Sequence, residues 1–441
     1  MKRTKMWLKI RESFWFLPAL YGIISILLAI FSVTVDFSFS KEKLESAAPD
    51  ILVSNTKLGT TILSTLLQSI LTMATIAFST IMVVLTTFSG QFSPRTLQNF
   101  VSDRITQRIL AIFVSGVIYN LVTLLEMNPS VKRNLLVTPV LSVLIGMTCV
   151  AAFVYFINHV AKWVQVNNLI DKLTNEALET IQRIYHDIQS FQQPDQINDQ
   201  QEDSPDSKKH IAAAERNGYI ELIDFGTLMK LAHKDNTVIH LNVYVGSYVM
   251  QGNTLFTYQY EEKGTPVNEQ KYARCLKLGT ERTGMQDIEF QIQKLVEIAL
   301  RAISPAINDP HTAINCINRI GLILKELSQR EDFPSSLYDN EGNRRIELKK
   351  HDFAHYLYKA FYQIRHYGKE DISVTTAMFH VLKRLAEQAD PEVKKEVLKF
   401  RDYIYEGFDQ EVLLSLDETY LQKELDELEE MARSGNKGDK N

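Results

Sequence analysis

Four long stretches nearly free of charge lie between Phe14 and Ala161, separated by short polar connections, and nothing comparable follows them. Residues 14–35 and 60–88 each exceed the roughly 20 apolar residues needed to cross about 30 Å of hydrocarbon; 135–157 is long enough, and 109–125 is near the lower limit. The pattern predicts an α-helical membrane domain with four transmembrane helices over residues 1–161. Lys2, Arg3, Lys5, Lys9 and Arg11 precede the first stretch as they would in a secretory signal. Its length exceeds the roughly 7 to 15 residues of a signal's apolar region, and three further stretches follow, so it is expected to remain as the first span.

After the fourth stretch the pattern changes. Trp163, Val166, Ile170, Leu173, Ala177, Ile181, Ile184 and Ile188 recur at threes and fours in a polar background. They predict a helical extension over 162–191, and one continuous helix over 135–191 would be about 85 Å long. Its apolar seam suits either the chain's own next domain or a second copy in a coiled coil. Residues 192–210 are polar, acidic and aperiodic, which reads as a flexible linker.

Residues 211–280 form a small β-rich domain by pattern. Strands are expected at 218–223 and at 238–245, where Ile239, Leu241, Val243 and Val245 alternate with His240, Asn242 and Tyr244. The segment VGSYVMQGNTLF, punctuated by Gly246 and Gly252, resembles one half of a lipoyl-like domain. It lacks the Met-Lys-Met turn that carries a lipoyl or biotinyl group, so a structural, barrel-like part is expected and no cofactor. Residues 281–431 read as helical. Ile288, Ile292, Leu295, Ala299 and Ile303 share one face, with Thr283 and Gln286 at capping-box spacing before it. Ser304-Pro305 ends that helix, and Asp309 with Pro310 starts the next as N-cap and first residue. Residues 432–441 read as a frayed tail. The fold class is thus four spans, a long helical extension and an α+β cytoplasmic domain.

Charge sharpens the division. Residues 1–165 hold 14 Lys and Arg against 7 Asp and Glu, and the rest holds 34 against 46. An acidic second part has no basic footprint for nucleic acid. The N-terminal basic cluster and the even number of spans place both termini in the cytoplasm, with the protein in a bacterial inner or plasma membrane. Cys149, Cys275 and Cys316 form no C-x-x-C pair, so neither a disulfide framework nor a zinc ribbon is indicated.

Within the second span Thr61, Thr65, Gln68, Thr72, Thr75, Ser79 and Thr86 follow alternating spacings of three and four, with Met82 filling the gap. Two readings remain open: close helix packing through small hydroxyl residues, or the lining of a hydrated path. In the second part Arg282, Asp287, Glu289, Arg301, Asn308, Asp309 and Thr312 are expected around the turn between two helices, where a helix N-terminus with nearby arginines can hold a small anionic ligand. Capping and ion pairing explain the same residues. The segment His351-Asp352-Phe353-Ala354-His355 resembles H-E-x-x-H with Asp in place of Glu, but no third ligand follows at a recognisable spacing, so no metal site is expected. Walker, G-x-G-x-x-G and G-x-S-x-G motifs are absent from the sequence, and no catalytic residue is assigned. The aromatic run Phe353, Tyr356, Tyr358, Phe361, Tyr362 and Tyr367 reads as helix packing.

Five blocks carry a family resemblance: SGQFSPRTLQNF at 89–100, GYIELID at 218–224, RTGMQDIEF at 282–290, RAISPAINDPHTAI at 301–314 and AFYQIRHYG at 360–368. In order and spelling they resemble the bacterial predicted-membrane-protein family called domain of unknown function 2254. The resemblance implies a four-span membrane protein with a cytoplasmic C-terminal region, and no activity. Two functions are therefore weighed: a homo-oligomeric channel or permeation path with a cytoplasmic sensing or gating domain, and a membrane-anchored regulatory or scaffold protein without transport. No enzyme activity is expected.

Overall fold

The computed structural model describes residues 15–38, 54–91, 104–126, 134–135, 137–191, 209–259, 267–330, 334–387, 389–409, 411 and 413–434. The N-terminal basic cluster and nearly all of the expected 192–210 linker lie outside these residues. Two compact units divide the chain, Met1–Gln165 and Val166–Asn441.

The first unit contains α1 (Phe16–Ser38), β1 (Ser54–Asn55), α2 (Thr56–Gln91), α3 (Arg104–Glu126), β2 (Asn134–Leu135) and α4 (Val137–Val164). Its four helices are long and apolar enough to cross a membrane, as the pattern predicts. Helix α3 packs against the other three. A Cβ added at Gly116 would come within 2.9 Å of Cys149 Sγ, so α3 and α4 approach at a distance that only a small residue allows.

Several polar groups inside this unit bond one another, because a lone donor or acceptor in hydrocarbon costs several kcal/mol, on the order of 4 to 8 for full transfer. Tyr119 donates its hydroxyl to Ser32 at 3.0 Å, and the Asn120 amide bonds Gly116 O at 2.8 Å while Ser142 donates to its oxygen. Asp36 closes the bundle at one end. Its carboxylate accepts from the backbone N–H groups of Val137 and Thr138, both at 2.9 Å, and so caps α4 from the last turn of α1. At the same end β1 pairs with β2 antiparallel, Ser54 opposite Leu135.

The second unit opens with α5 (Val166–Gln189); Gln165 interrupts the continuous helix expected over 135–191. There follow β3 (Lys209–Ala213), β4 (Gly218–Ile223), α6 (Phe225–Lys234), β5 (Val238–Leu241), β6 (Tyr248–Val249), β7 (Thr254–Gln259), α7 (Glu269–Ala273), β8 (Leu276–Gly279), α8 (Ile288–Ala302) and α9 (Pro310–Ser328). Then come β9 (Ser336–Tyr338), β10 (Arg344–Glu347), α10 (Phe353–Tyr367), α11 (Ile372–Ala386), α12 (Pro391–Glu406) and α13 (Ser415–Ser434). None of its described helices is long and apolar enough to cross a membrane.

The seam on α5 is buried within this unit: Ile170, Leu173 and Ala177 are fully covered, Ile181, Ile184 and Ile188 nearly so, by packing on α8, α9 and α6. Of the two partners the seam suits, its own domain covers it from Ile170 to Ile188. The expected barrel-like part is corrected as well. Its strands form two open sheets, β3-β7-β5-β10-β9 and β6-β4-β8. The larger sheet is open because its end strands β3 and β9 do not pair, and β5 is covered by β10, which arrives from more than a hundred residues downstream and runs parallel to it, Ile346 opposite Ile239. The core between sheet and helices is apolar and aromatic, with Leu255, Phe256, Ile239, Leu337 and Ile346 buried.

Asp339 organises the turn that delivers β10. Its carboxylate accepts from Arg345 Nε at 2.7 Å and from the backbone N–H groups of Glu341 and Asn343, and His233 Nδ1 lies 2.9 Å away. Burial alone would raise this carboxyl, but the hydrogen bonds from His233 and Arg345 outweigh it and hold the pKa well below the usual range. Asp339→Asn removes a charge that a buried Arg345 needs, and is expected to destabilise the full-length protein in detergent by about 3 kcal/mol, read as a lower urea midpoint. Because the folded pKa is depressed, the wild-type stabilisation is complete above the free value of about 3.9 and lost as pH falls below it. The difference between wild type and Asp339→Asn should therefore shrink on acidification; a constant difference would show that charge is not the cause.

Candidate functional site

The start of α8 is built from a carboxylate with little access to water. Asp287, 3% exposed, caps the helix by accepting from Phe290 N at 2.9 Å. The expected capping box of Thr283 and Gln286 does not form, because the helix begins at Ile288; Gln286 instead clamps β4, accepting from Ile223 N and donating to Ile223 O. Arg282 grips Asp287 in a two-point ion pair, Nε to Oδ2 at 2.7 Å and Nη2 to Oδ1 at 2.8 Å. Burial works against the guanidinium, and the hydrogen bond and charge of Asp287, with Glu289 adding to them, outweigh it and raise its pKa. Gly246 closes over this pair with φ +89°, where a Cβ would fall 2.1 Å from Asp287 Oδ2. Only glycine fits both the backbone and the space.

Two residues on, in the first turn of α8, Glu289 faces His355. Its Oε2 lies 2.7 Å from His355 Nε2, and Oε1 receives a longer contact from Arg282 at 3.4 Å. Burial alone would raise the Glu289 carboxyl, but the His355 hydrogen bond and the Arg282 charge lower it. His351 does not lie on the helix that carries His355. Asp352 caps α10 by accepting from His355 N, so His351 stands just before the cap. Its ring stacks on His355 and on Tyr244, each at 3.7 Å between centroids, and Tyr356 meets both imidazoles edge-on. Burial, reinforced by the neighbouring His355, pushes the His351 pKa down to about 4.

Tyr244, Glu289, His351 and Tyr356 of this cluster line a cavity of about 530 Å³. Ile181 and Ile184 of α5, Leu241 at the end of β5, Val243 after it, and Leu348 supply an apolar lining; Arg330, Lys349 and Lys350 stand beside Asp287, Glu289, Asp352 and Glu392 in the same wall. Lys349 also sits 4.7 Å over the Tyr244 ring. The volume and mixed lining suit a small amphipathic molecule.

The residues expected to hold an anion are divided between two places. Arg282, Asp287 and Glu289 lie at the start of α8, whereas Arg301 lies in its last turn and Asn308, Asp309 and Thr312 follow it. Fifteen residues of helix, about 22 Å, separate the groups. Asp309 caps α9 through Thr312 N and Oγ1, as the sequence predicts, and Asn308 adopts φ +50° before it. Glu289 as a partner of His355 escaped the sequence reading, since 66 residues separate them and no spacing rule links α8 to α10.

The polar stripe of α2 is a separate matter. Leu63, Ile70, Ala77 and Val84 form the buried face of this helix, while Thr61, Thr65, Gln68, Thr72, Thr75, Ser79 and Thr86 are all exposed on the opposite side. The stripe is therefore not consumed in packing within its own bundle. Thr61, Thr65, Thr72, Thr75 and Thr86 each donate to the carbonyl four residues back, at 2.8 to 2.9 Å. Gln68 has an amide too polar for such a bond to satisfy fully.

A family model described as a predicted membrane protein, DUF2254, matches residues 11–384. An uncharacterized protein of Mycobacterium bovis is 30% identical over 327 residues, which is 72% of this chain. An uncharacterized protein of Mycobacterium tuberculosis matches with the same identity and coverage. The chain spans 61% of the length of these curated relatives. No solved structure matches.

Arg282→Met leaves Asp287 buried without its partner, and a loss of about 3 kcal/mol in unfolding free energy is expected. Arg301→Met, at the exposed end of α8, should cost no more than about 0.5 kcal/mol. Thermal melts of the two full-length variants side by side check this; equal shifts would deny the ion pair its structural weight.

Proposed function

The chain belongs to the DUF2254 family of predicted membrane proteins, and from that premise we propose that copies of it assemble in the bilayer with the α2 stripes turned toward one another, lining a hydrated path for small solutes or ions. One observation carries the reading: every residue of the stripe points away from its own bundle. Lipid is a poor environment for that face. The hydroxyls can tolerate it through their bonds to helix carbonyls, but Gln68, within about 5 Å of the middle of the span, cannot. A neighbouring copy or water removes the cost. The cavity of the second unit supports a sensing role for that unit, with a small ligand held between an apolar wall and groups of both charges.

The satisfied hydroxyls favour a second reading, an oligomer closed by packing and acting as a membrane-anchored scaffold without transport. Three measurements on the full-length chain separate the two. Thr72→Cys should cross-link copies under mild oxidation in native membranes under either reading, and its failure to do so removes both. Wild type reconstituted in liposomes should pass small solutes or ions under an osmotic, voltage or tension stimulus. A triple variant with Leu at Gln68, Thr72 and Thr75 should keep its oligomer and lose most of that flux as the path dewets. Conduction by the triple variant at the wild-type level, or none by the wild type, removes the pore and leaves the scaffold.

A further inference from the structure

The sequence offers His351 and His355 without a third ligand, and the fold supplies one from α8. The ligand atoms of Glu289, His351 and His355 all lie within 4.8 Å of one another. We propose that these three residues bind a divalent transition-metal ion of the zinc class, with an open coordination position facing the cavity of the second unit. Two imidazoles and a carboxylate are a nitrogen-oxygen donor set that suits Zn²⁺ and its first-row neighbours, whereas Mg²⁺ and Ca²⁺ take oxygen ligands almost throughout. Structural zinc sites use four protein ligands; three ligands beside a cavity match the arrangement that leaves room for water or a bound molecule. Glu289 and His351 line that cavity and His355 stacks on His351, so the fourth position is reachable from the cavity.

The ligands are held from behind. Arg282 takes Glu289 Oε1 and leaves Oε2 toward His355. Asp352 fixes the backbone from which His355 projects, and Tyr356 packs edge-on against both rings. Support of this kind orients ligands in metal sites and raises affinity. Bonds of about 2.0 to 2.2 Å set ligand atoms about 3.3 Å apart around a tetrahedral ion, so the Glu289–His355 hydrogen bond opens slightly to admit it. The two imidazoles are parallel, to within 6°, and their in-plane lone pairs run side by side. Binding therefore turns one ring out of the stack, and His351, with its other face on Tyr244, is the ring between two neighbours.

A second compact group, His233, Asp339 and Glu341, serves as a control. Its central carboxylate is already taken by Arg345 and two backbone N–H groups, and its outer members are exposed.

The test uses the full-length chain in detergent, stripped with chelator, titrated with ZnCl₂ by calorimetry and loaded with Co²⁺ for visible absorption. One Zn²⁺ per chain is expected, with no competition from excess Mg²⁺, and a Co²⁺ spectrum of nitrogen-oxygen coordination. Glu289→Gln, His351→Ala and His355→Ala should each weaken zinc binding by about a hundredfold or more, since losing a ligand exceeds the loss of an outer partner. His233→Ala should change nothing. Should a histidine variant fail to fold, Glu289→Gln keeps shape and hydrogen bonding and decides alone. The proposal is overturned if wild type takes up no zinc, or if Glu289→Gln binds it as wild type does. No flux is measured, so zinc uptake by a protein that conducts nothing keeps this site and removes only the pore.

Discussion

Asp287 is a carboxylate nearly cut off from solvent, and its charge is tolerable there only while Arg282 holds both oxygens. Much of the second unit hangs on that pair. The same carboxylate starts α8, and the turn at Gly246 closes over it without a side chain. With α8 so placed, Gln286 reaches back to pin β4 and Glu289 reaches forward to His355. A sheet, a helix and the cavity wall thus share one electrostatic anchor.

Along the middle of its spans the membrane unit uses neutral groups, and its one described buried carboxylate, Asp36, sits at the end of the bundle. Its two midspan amides have opposite fates: Asn120 is fully buried and bonded to Gly116 and Ser142, whereas Gln68 looks outward. An amide turned inward is a fastener inside one chain. An amide turned outward is left to whatever lies beyond the bundle, which is why the proposed function rests on α2 rather than α3.

Legibility in the sequence followed the range of the interactions. The four spans, the strand at 218–223 and the Asp309 cap were readable because each depends on neighbours a few residues away. Periodicity also placed the α2 polar residues on one face, but could not say whether that face looked in or out. Pairings over long separations were invisible: β10 with β5, Asp36 with the start of α4, Glu289 with His355. The barrel-like expectation failed for the same reason, since strands near 240 looked complete without the one from 344–347. At the α8 cap the error was local: Asp287 displaced Thr283 because a buried ion pair favours it over a hydroxyl.

The parallel partnership of β5 and β10 has a consequence during synthesis. As the chain leaves the ribosome, β5 emerges more than a hundred residues before the strand that will cover its edge. Throughout that interval the nascent sheet carries a row of unsatisfied N–H and C=O groups, a template for pairing with a neighbouring nascent chain. The unit therefore matures late and as a whole, and truncations that end before β10 should be more prone to aggregate than ones that end just after it.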